Sequence, residues 1–188
     1  LCGYNGCGKT MLMRLIAGLI IPTRGEIIVD GKKLGKQMDF PESMGIMIEN
    51  PSFLGGISGF ENLRMLASIR NKISDEIIKT AILRVGLNPE DTKKYRKYSL
   101  GMKQRLGIAM SILHKPRLLI LDEPTNGLDP EGIKEVRNLL VKLANEENMA
   151  ILVSSHILSE LETFCTKIAI IQNGKIIETS DINSIKQE

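Results

Sequence analysis

Eight residues near the start of the chain, Gly3-Tyr4-Asn5-Gly6-Cys7-Gly8-Lys9-Thr10, have the form GxxxxGK[ST]. These residue types at this spacing specify phosphate chemistry. Glycines let the backbone curl so that successive N–H groups converge on phosphate oxygens. Lys9 brings a positive charge to the β- and γ-phosphates, and the Thr10 hydroxyl is a ligand for Mg²⁺. Met11 to Gly18 then places apolar residues at helical spacing. The loop therefore opens a helix whose N-terminal dipole adds to the attraction for phosphate. Gly3, Asn5, Gly6, Cys7, Gly8, Lys9, Thr10 and Met11 are the expected nucleotide contacts. Cys7 fits this loop as a small space-filling residue.

A second chemical element lies far downstream. Arg117-Leu118-Leu119-Ile120-Leu121 is an apolar run that ends in Asp122-Glu123-Pro124. An apolar strand ending in a carboxylate carries it to the sheet edge where ligands bind in open α/β folds. Asp122 can hold Mg²⁺ directly or through water, and Glu123 can polarise a water for in-line attack on the γ-phosphate. A third element is Tyr98-Ser99-Leu100-Gly101-Met102, which by itself reads as a serine-capped helix start. A fourth is Ser154-Ser155-His156 after a short apolar run.

These residues need a scaffold, and the pattern describes one. Short apolar runs at 26–29, 46–48, 117–121 and 150–153 read as strands. The pattern is helical over 60–85, over 131–145 and over 156–164, and Ser99 caps a helix running to about His114. Ile168 to Ile171 and Lys175 to Glu178 flank Asn173-Gly174, a hairpin signal. Alternation of strands and helices predicts an α/β fold with a mostly parallel sheet flanked by helices. The chain has 188 residues, a net charge of +3 and 43% hydrophobic residues, and mean hydropathy is −0.01. This composition suits a globular domain, and no run of about 18 apolar residues spans a membrane. Three cysteines without metal spacing suit a reducing compartment. The basic residues are scattered apart from Lys93-Lys94 and Arg96-Lys97, so no nucleic acid partner is expected.

The order of these elements resembles the ATP-binding cassette (ABC) family over nearly the whole chain. The resemblance implies a P-loop NTPase core of residues 1–52 and 108–188, with an α-helical subdomain over 53–107. Gly3 to Thr10 is similar to the Walker A loop, Asp122 to the Walker B magnesium carboxylate and Glu123 to the catalytic glutamate. Ser99 and Gly101 are similar to the signature motif, which contacts ATP held by another protomer. Leu128-Asp129 is similar to the D-loop, and His156 to the switch histidine. Lys9, Glu123 and His156 are then the expected catalytic residues, and Thr10, Glu49 and Asp122 the expected metal ligands. The implied cofactors are ATP and Mg²⁺. The implied partners are a second cassette in a head-to-tail dimer and transmembrane permease subunits, with the chain peripheral on the cytoplasmic face of the cell membrane.

Two positions depart from the family pattern. The signature is usually Leu-Ser-Gly-Gly-Gln, and here Leu100 and Met102 flank the retained Ser99 and Gly101. Glu49 stands where the family usually has glutamine; a carboxylate is also a Mg²⁺ ligand. Glu49-Asn50-Pro51-Ser52-Phe53-Leu54 with Glu61-Asn62-Leu63 resembles the branch that exports bacitracin-type and lantibiotic-type peptides. In that branch the stretch from Pro51 to about Leu63 lines the groove for a membrane partner. Only Leu1 and Cys2 precede the phosphate loop, where a central strand is expected, so the chain reads as part of a longer protein. Two rival functions are weighed by the same residues. DNA-repair members carry long coiled coils between the positions of Glu49 and Ser99, and this chain does not. A defunct cassette would have lost catalytic positions that are all present here.

Overall fold

The computed structural model describes residues 1–49, 52–69 and 73–182. Three strands, β3 (Met44–Met47), β4 (Leu118–Leu121) and β5 (Ala150–Val153), form a parallel sheet in the order β3-β4-β5, after a small hairpin of β1 (Ile28–Val29) and β2 (Lys32–Lys33). Ile46, Ile120 and Leu152 lie in one register row. β4 is the centre of this sheet, and Leu119, Ile120 and Leu121 are fully buried. Burial on both faces is why that strand is an unbroken apolar run rather than an alternating one. Each such side chain contributes about 1.5–3 kcal/mol relative to exposure.

Helix α1 (Lys9–Ile16) leaves the phosphate loop directly, and α5 (Pro130–Glu146) buries Val136, Leu139, Leu140 and Leu143. On the β3 side, α2 (Gly59–Ser68), α3 (Asp75–Arg84) and α4 (Leu100–Ile112) pack together and share one buried cluster with the sheet. Ser111 ties α4 to β3 by donating to the Ile46 carbonyl at 2.8 Å. A hairpin of β6 (Lys167–Gln172) and β7 (Lys175–Asp181) completes the described chain. Cys2 lies between β5 and β6, bridging in parallel to both Ser155 and Ile170. Beside it is an apolar cavity of about 710 Å³, lined by α1, α5, β5 and β6 residues that include Leu12, Ile16, Leu140 and Ile168.

The predicted helix over 60–85 is two helices. Ser74 has extended backbone (φ −76°, ψ 160°) and starts α3 afresh, with Asp75 and Glu76 in its first turn. A continuous helical register over 60–85 is the wrong reading of two amphipathic segments, because the apolar spacing survives the break. Residues 70–72 lie outside the described residues, as do Asn50 and Pro51 of the predicted loop after Glu49. The helix predicted over 156–164 is α-helical only at α6 (Leu158–Leu161). Ser155 Oγ accepts from the Ile157 N–H at 3.0 Å, which holds His156 out of the helix. The return strand β2, Lys32–Lys33, carries no apolar pattern and was not legible in the sequence.

Candidate active site

The phosphate loop is held from both ends. Gly8 has φ +110° and is the residue that caps α1, a conformation that L side chains rarely adopt. A Cβ on Gly3 would stand 2.5 Å from the Ile171 carbonyl oxygen and 2.6 Å from Cys7 Sγ, so the loop closes only with glycine there. The β6–β7 turn packs onto the loop: the Gly174 N–H donates to the Cys7 carbonyl at 2.8 Å, and Tyr4 Oη donates to Asn173 Oδ1 at 2.7 Å. Tyr4, Asn5 and Gly6 face solvent at the open side. Met11, expected at the nucleotide, is 54% exposed on the first turn of α1.

Lys9 is the first residue of α1 and is buried. Its ammonium donates to the Gly3 carbonyl at 2.6 Å and the Tyr4 carbonyl at 3.2 Å, and stands 3.2 Å from Glu123 Oε1. Burial of this charge is tolerable because three oxygens surround it. Glu123 has a left-handed backbone (φ +48°) two residues past the end of β4. Its other oxygen, Oε2, lies 2.8 Å from His156 Nδ1. Nδ1 is the donor in this contact, since a carboxylate only accepts. Glu123 is thus suspended between a lysine and a histidine from two other segments.

Asp122 sits one residue earlier, with the Thr10 hydroxyl donating to its Oδ2 at 2.5 Å and the Ser154 hydroxyl donating to its Oδ1 at 2.5 Å. Thr10 and Asp122 together offer a hydroxyl and a carboxylate. No group of three or more His, Cys, Asp or Glu side chains among the described residues is placed to hold a metal. Two hard oxygen donors with the rest of the shell open suit Mg²⁺, which keeps waters and takes phosphate oxygens.

The structure therefore brings Lys9, Thr10, Asp122, Glu123 and His156 together. Two other expected sets lie apart. Glu49 (φ +69°) pairs with Arg14 of α1, not with Thr10 or Asp122. Ser99 caps α4 by accepting from the Met102 N–H at 3.2 Å, and Asp129 caps α5 by accepting from the Gly132 N–H at 3.2 Å. Leu100 packs toward Gly127, and Gly101 faces Leu128, so the α4 and α5 starts adjoin. No hydrogen bond or ion pair among the described residues joins Ser99, Gly101 or Asp129 to Lys9, Thr10 or Asp122.

Ser154 was legible as a member of the Ser154-Ser155-His156 motif, but only His156 of that motif had a role in the sequence reading. The signal was available: a parallel pairing of 118–121 with 150–153 makes the next residues, Asp122 and Ser154, neighbours.

A family profile described as "ABC transporter" matches residues 1–126. The bacitracin transport ATP-binding protein BcrA of Enterococcus faecalis is 43% identical over 98% of this chain and 60% of its own length. The lantibiotic transport ATP-binding protein SrtF of Streptococcus pyogenes is 42% identical over 94% of this chain and 76% of its own length. An uncharacterized ABC transporter ATP-binding protein of Bacillus subtilis, YhcH, is 44% identical over 99% of this chain and 60% of its own length. The chain thus spans about 60% of the length of several curated relatives it matches. Among solved structures, cbiO1 from Clostridium perfringens, described as part of the ABC transporter complex cbiONQ, superposes with a TM-score of 0.86 at 28% identity, covering 100% of this chain and 78% of that one. The dimeric cassette MJ0796 bound to ADP and Pi has the same fold, with a TM-score of 0.81 at 20% identity over 96% of this chain and 83% of that one. The phosphate loop, the strand-end carboxylates and these similarities converge: the chain belongs to the ABC transporter ATP-binding family.

Proposed function

We propose that this chain binds and hydrolyses ATP and drives export across a membrane, acting on an antimicrobial peptide or drug. The observation that carries the hydrolytic reading is the convergence of Lys9, Glu123 and His156 beside the Thr10–Asp122 pair. Lys9 leaves its Glu123 partner for the β- and γ-phosphate oxygens, which the loop N–H groups cradle. Glu123 is thereby released to accept a proton from an attacking water, and His156 holds the carboxylate in line from the other side. Thr10 and Asp122 would hold Mg²⁺, which would supply neutralisation of phosphate charge.

Among the described residues, no hydrogen bond or ion pair joins Ser99, Gly101 or Asp129 to the phosphate loop. A second copy supplies them across a head-to-tail dimer, so that each nucleotide lies between the loop of one protomer and the Ser99 segment of the other. Docking of a transmembrane permease subunit is proposed at the stretch from Pro51 to about Leu63; a groove of about 810 Å³ lined by Leu19, Phe40, Leu66, Ile73, Ile77 and Met110 among others is a separate feature, since none of its lining residues belongs to that stretch. The chain then sits on the cytoplasmic face of the cell membrane. Among the described residues no helix is long and apolar enough to cross a membrane. The relatives named for bacitracin and lantibiotic transport support the substrate class.

Glu49 is proposed as a further Mg²⁺ ligand once its ion pair with Arg14 opens. Mg²⁺-dependent turnover of Glu49→Gln and Glu49→Ala tests this, and unchanged activity in both removes the role. The dimer is tested by the solution mass of the Glu123→Gln protein with and without Mg-ATP. The expected result is an ATP-dependent doubling of mass that is lost when Ser99→Arg is added. A mass that ignores ATP while ATP is bound would overturn the homodimer.

A further inference from the structure

One hydroxyl touches both strand-end carboxylate residues. Ser154 is fully buried (0% exposed) just beyond β5. Its Oγ donates to Asp122 Oδ1 at 2.5 Å and accepts from the Glu123 backbone N–H at 2.9 Å. A serine hydroxyl has one proton. With that proton on Asp122, the lone pair is what faces Glu123, so the direction of both bonds is set. The backbone fixes the position as well, since the Ser154 N–H donates to the Leu121 carbonyl at 3.0 Å.

The two bonds act on different partners. Asp122 has a second side-chain anchor, the Thr10 hydroxyl on Oδ2. Thr10 is also the hydroxyl that a metal at this site recruits. When Thr10 turns away, Ser154 is the side chain that still orients Asp122. At Glu123 the bond holds the N–H of a non-glycine residue in the left-handed region (φ +48°), the conformation that aims its carboxylate at Lys9 and His156.

We propose that Ser154 is a positioning residue that sets the Asp122 metal carboxylate and the Glu123 carboxylate through a single hydroxyl. It rests on the ATPase reading above. It acts through these neighbours.

The test uses the full-length protein as wild type, Ser154→Ala and Ser154→Thr. Three quantities are measured: affinity for a fluorescent ATP analogue with and without Mg²⁺, kcat and KM for ATP, and melting temperature. Loss of a buried group that orients a metal ligand typically costs about 10–100-fold in metal affinity or activity. Ser154→Ala is expected to keep metal-free nucleotide affinity within about twofold, to lose the Mg²⁺-dependent gain in affinity, and to lower kcat by about that factor. Ser154→Thr, which keeps the hydroxyl, is expected to restore both. An alanine variant with wild-type kcat and Mg²⁺ response, whatever its melting temperature, overturns the proposal. Should the alanine variant fail to fold, Ser154→Cys replaces it, and wild-type kcat and Mg²⁺ response there overturn the proposal equally. A wild-type protein that neither binds nor hydrolyses ATP fails the ATPase reading itself, an outcome the variants cannot mimic.

Discussion

The ends of β4 and β5 and the starts of α4 and α5 both carry family-motif residues, yet they are built differently. At the strand ends, Lys9, Thr10, Asp122, Glu123, Ser154 and His156 form one network of hydrogen bonds and ion pairs, and most of its members are buried or nearly so. At the helix starts, Ser99 and Asp129 each make a capping bond to their own helix. Leu100 between them is 39% exposed. A network that satisfies its own buried charges is preorganised within one chain. Side chains that only cap a helix at the surface have capacity left for a group arriving from outside. The first region defines what is bound and broken, and the second defines what must assemble before that happens.

The most severe break of this contrast is Lys9→Ala. It removes the cation of the phosphate loop and leaves Glu123 with a buried oxygen that lacks its partner. Charge-assisted bonds of this kind are worth about 1.5–3 kcal/mol each. The expected outcome is ATP affinity at least about a hundredfold weaker, at 1.4 kcal/mol per tenfold, with no measurable turnover. Equilibrium binding of a fluorescent ATP analogue reads the first, and phosphate release reads the second. Affinity within a few fold of wild type would detach Lys9 from the phosphates. Next in size is Glu123→Gln, which keeps shape and removes the base. Turnover is expected to fall by about 10²–10⁴ with ATP binding retained. Fast hydrolysis by this variant returns the base to another residue.

Ser99→Arg sharpens the other half of the comparison. No hydrogen bond or ion pair among the described residues joins Ser99 to the strand-end network, so monomer affinity for ATP should stay within about twofold of wild type. Turnover should fall toward that of the isolated monomer, because the arginine blocks closure at the α4 start. A variant that loses ATP affinity in dilute, monomeric solution would place Ser99 in its own chain's site and dissolve the contrast between the two regions.

How far the sequence showed this depends on which force set each feature. The phosphate loop, β4 and the Asp122-Glu123 end are legible because local chemistry and an unbroken apolar run coincide there. β5 begins and ends where its apolar run does, at Ala150–Val153. The break before α3 was hidden because apolar residues keep a helical spacing on both sides of Ser74. The shortness of α6 was hidden because a tertiary demand, holding His156 toward Glu123, overrides helix formation there. The role of Ser154 was hidden for another reason. It comes from strand register, which pairs residues distant in sequence, and no periodicity within a single segment reports it. Glu49 was legible as a departure from its family, but its pairing with Arg14 arises only when β3 and α1 are brought side by side.

The smallest predicted effect lies outside both regions and calibrates them. Helix α2 starts with a reciprocal pair: Ser58 Oγ accepts from the Glu61 N–H at 3.2 Å, and the Ser58 N–H donates to Glu61 Oε2 at 2.6 Å. That backbone N–H, aided by the Ser58 side chain, holds the Glu61 carboxyl below its ordinary value. A carboxyl lowered in the folded state adds stability that is present above its unfolded value and is lost as pH falls through the lowered one. Ser58→Ala removes the cap at a cost of about 1 kcal/mol. For a chain of this length that is a fall of about 2–4 °C in melting temperature. ATP turnover without membranes, per folded molecule, should not change. Glu61→Gln should keep an acceptor for the Ser58 N–H but flatten the acid limb of the melting curve, which thermal melts from pH 3 to pH 7 would read. A Ser58→Ala variant that loses turnover while remaining folded would mean that α2 reaches the strand-end network, and that the separation between site and scaffold is drawn in the wrong place.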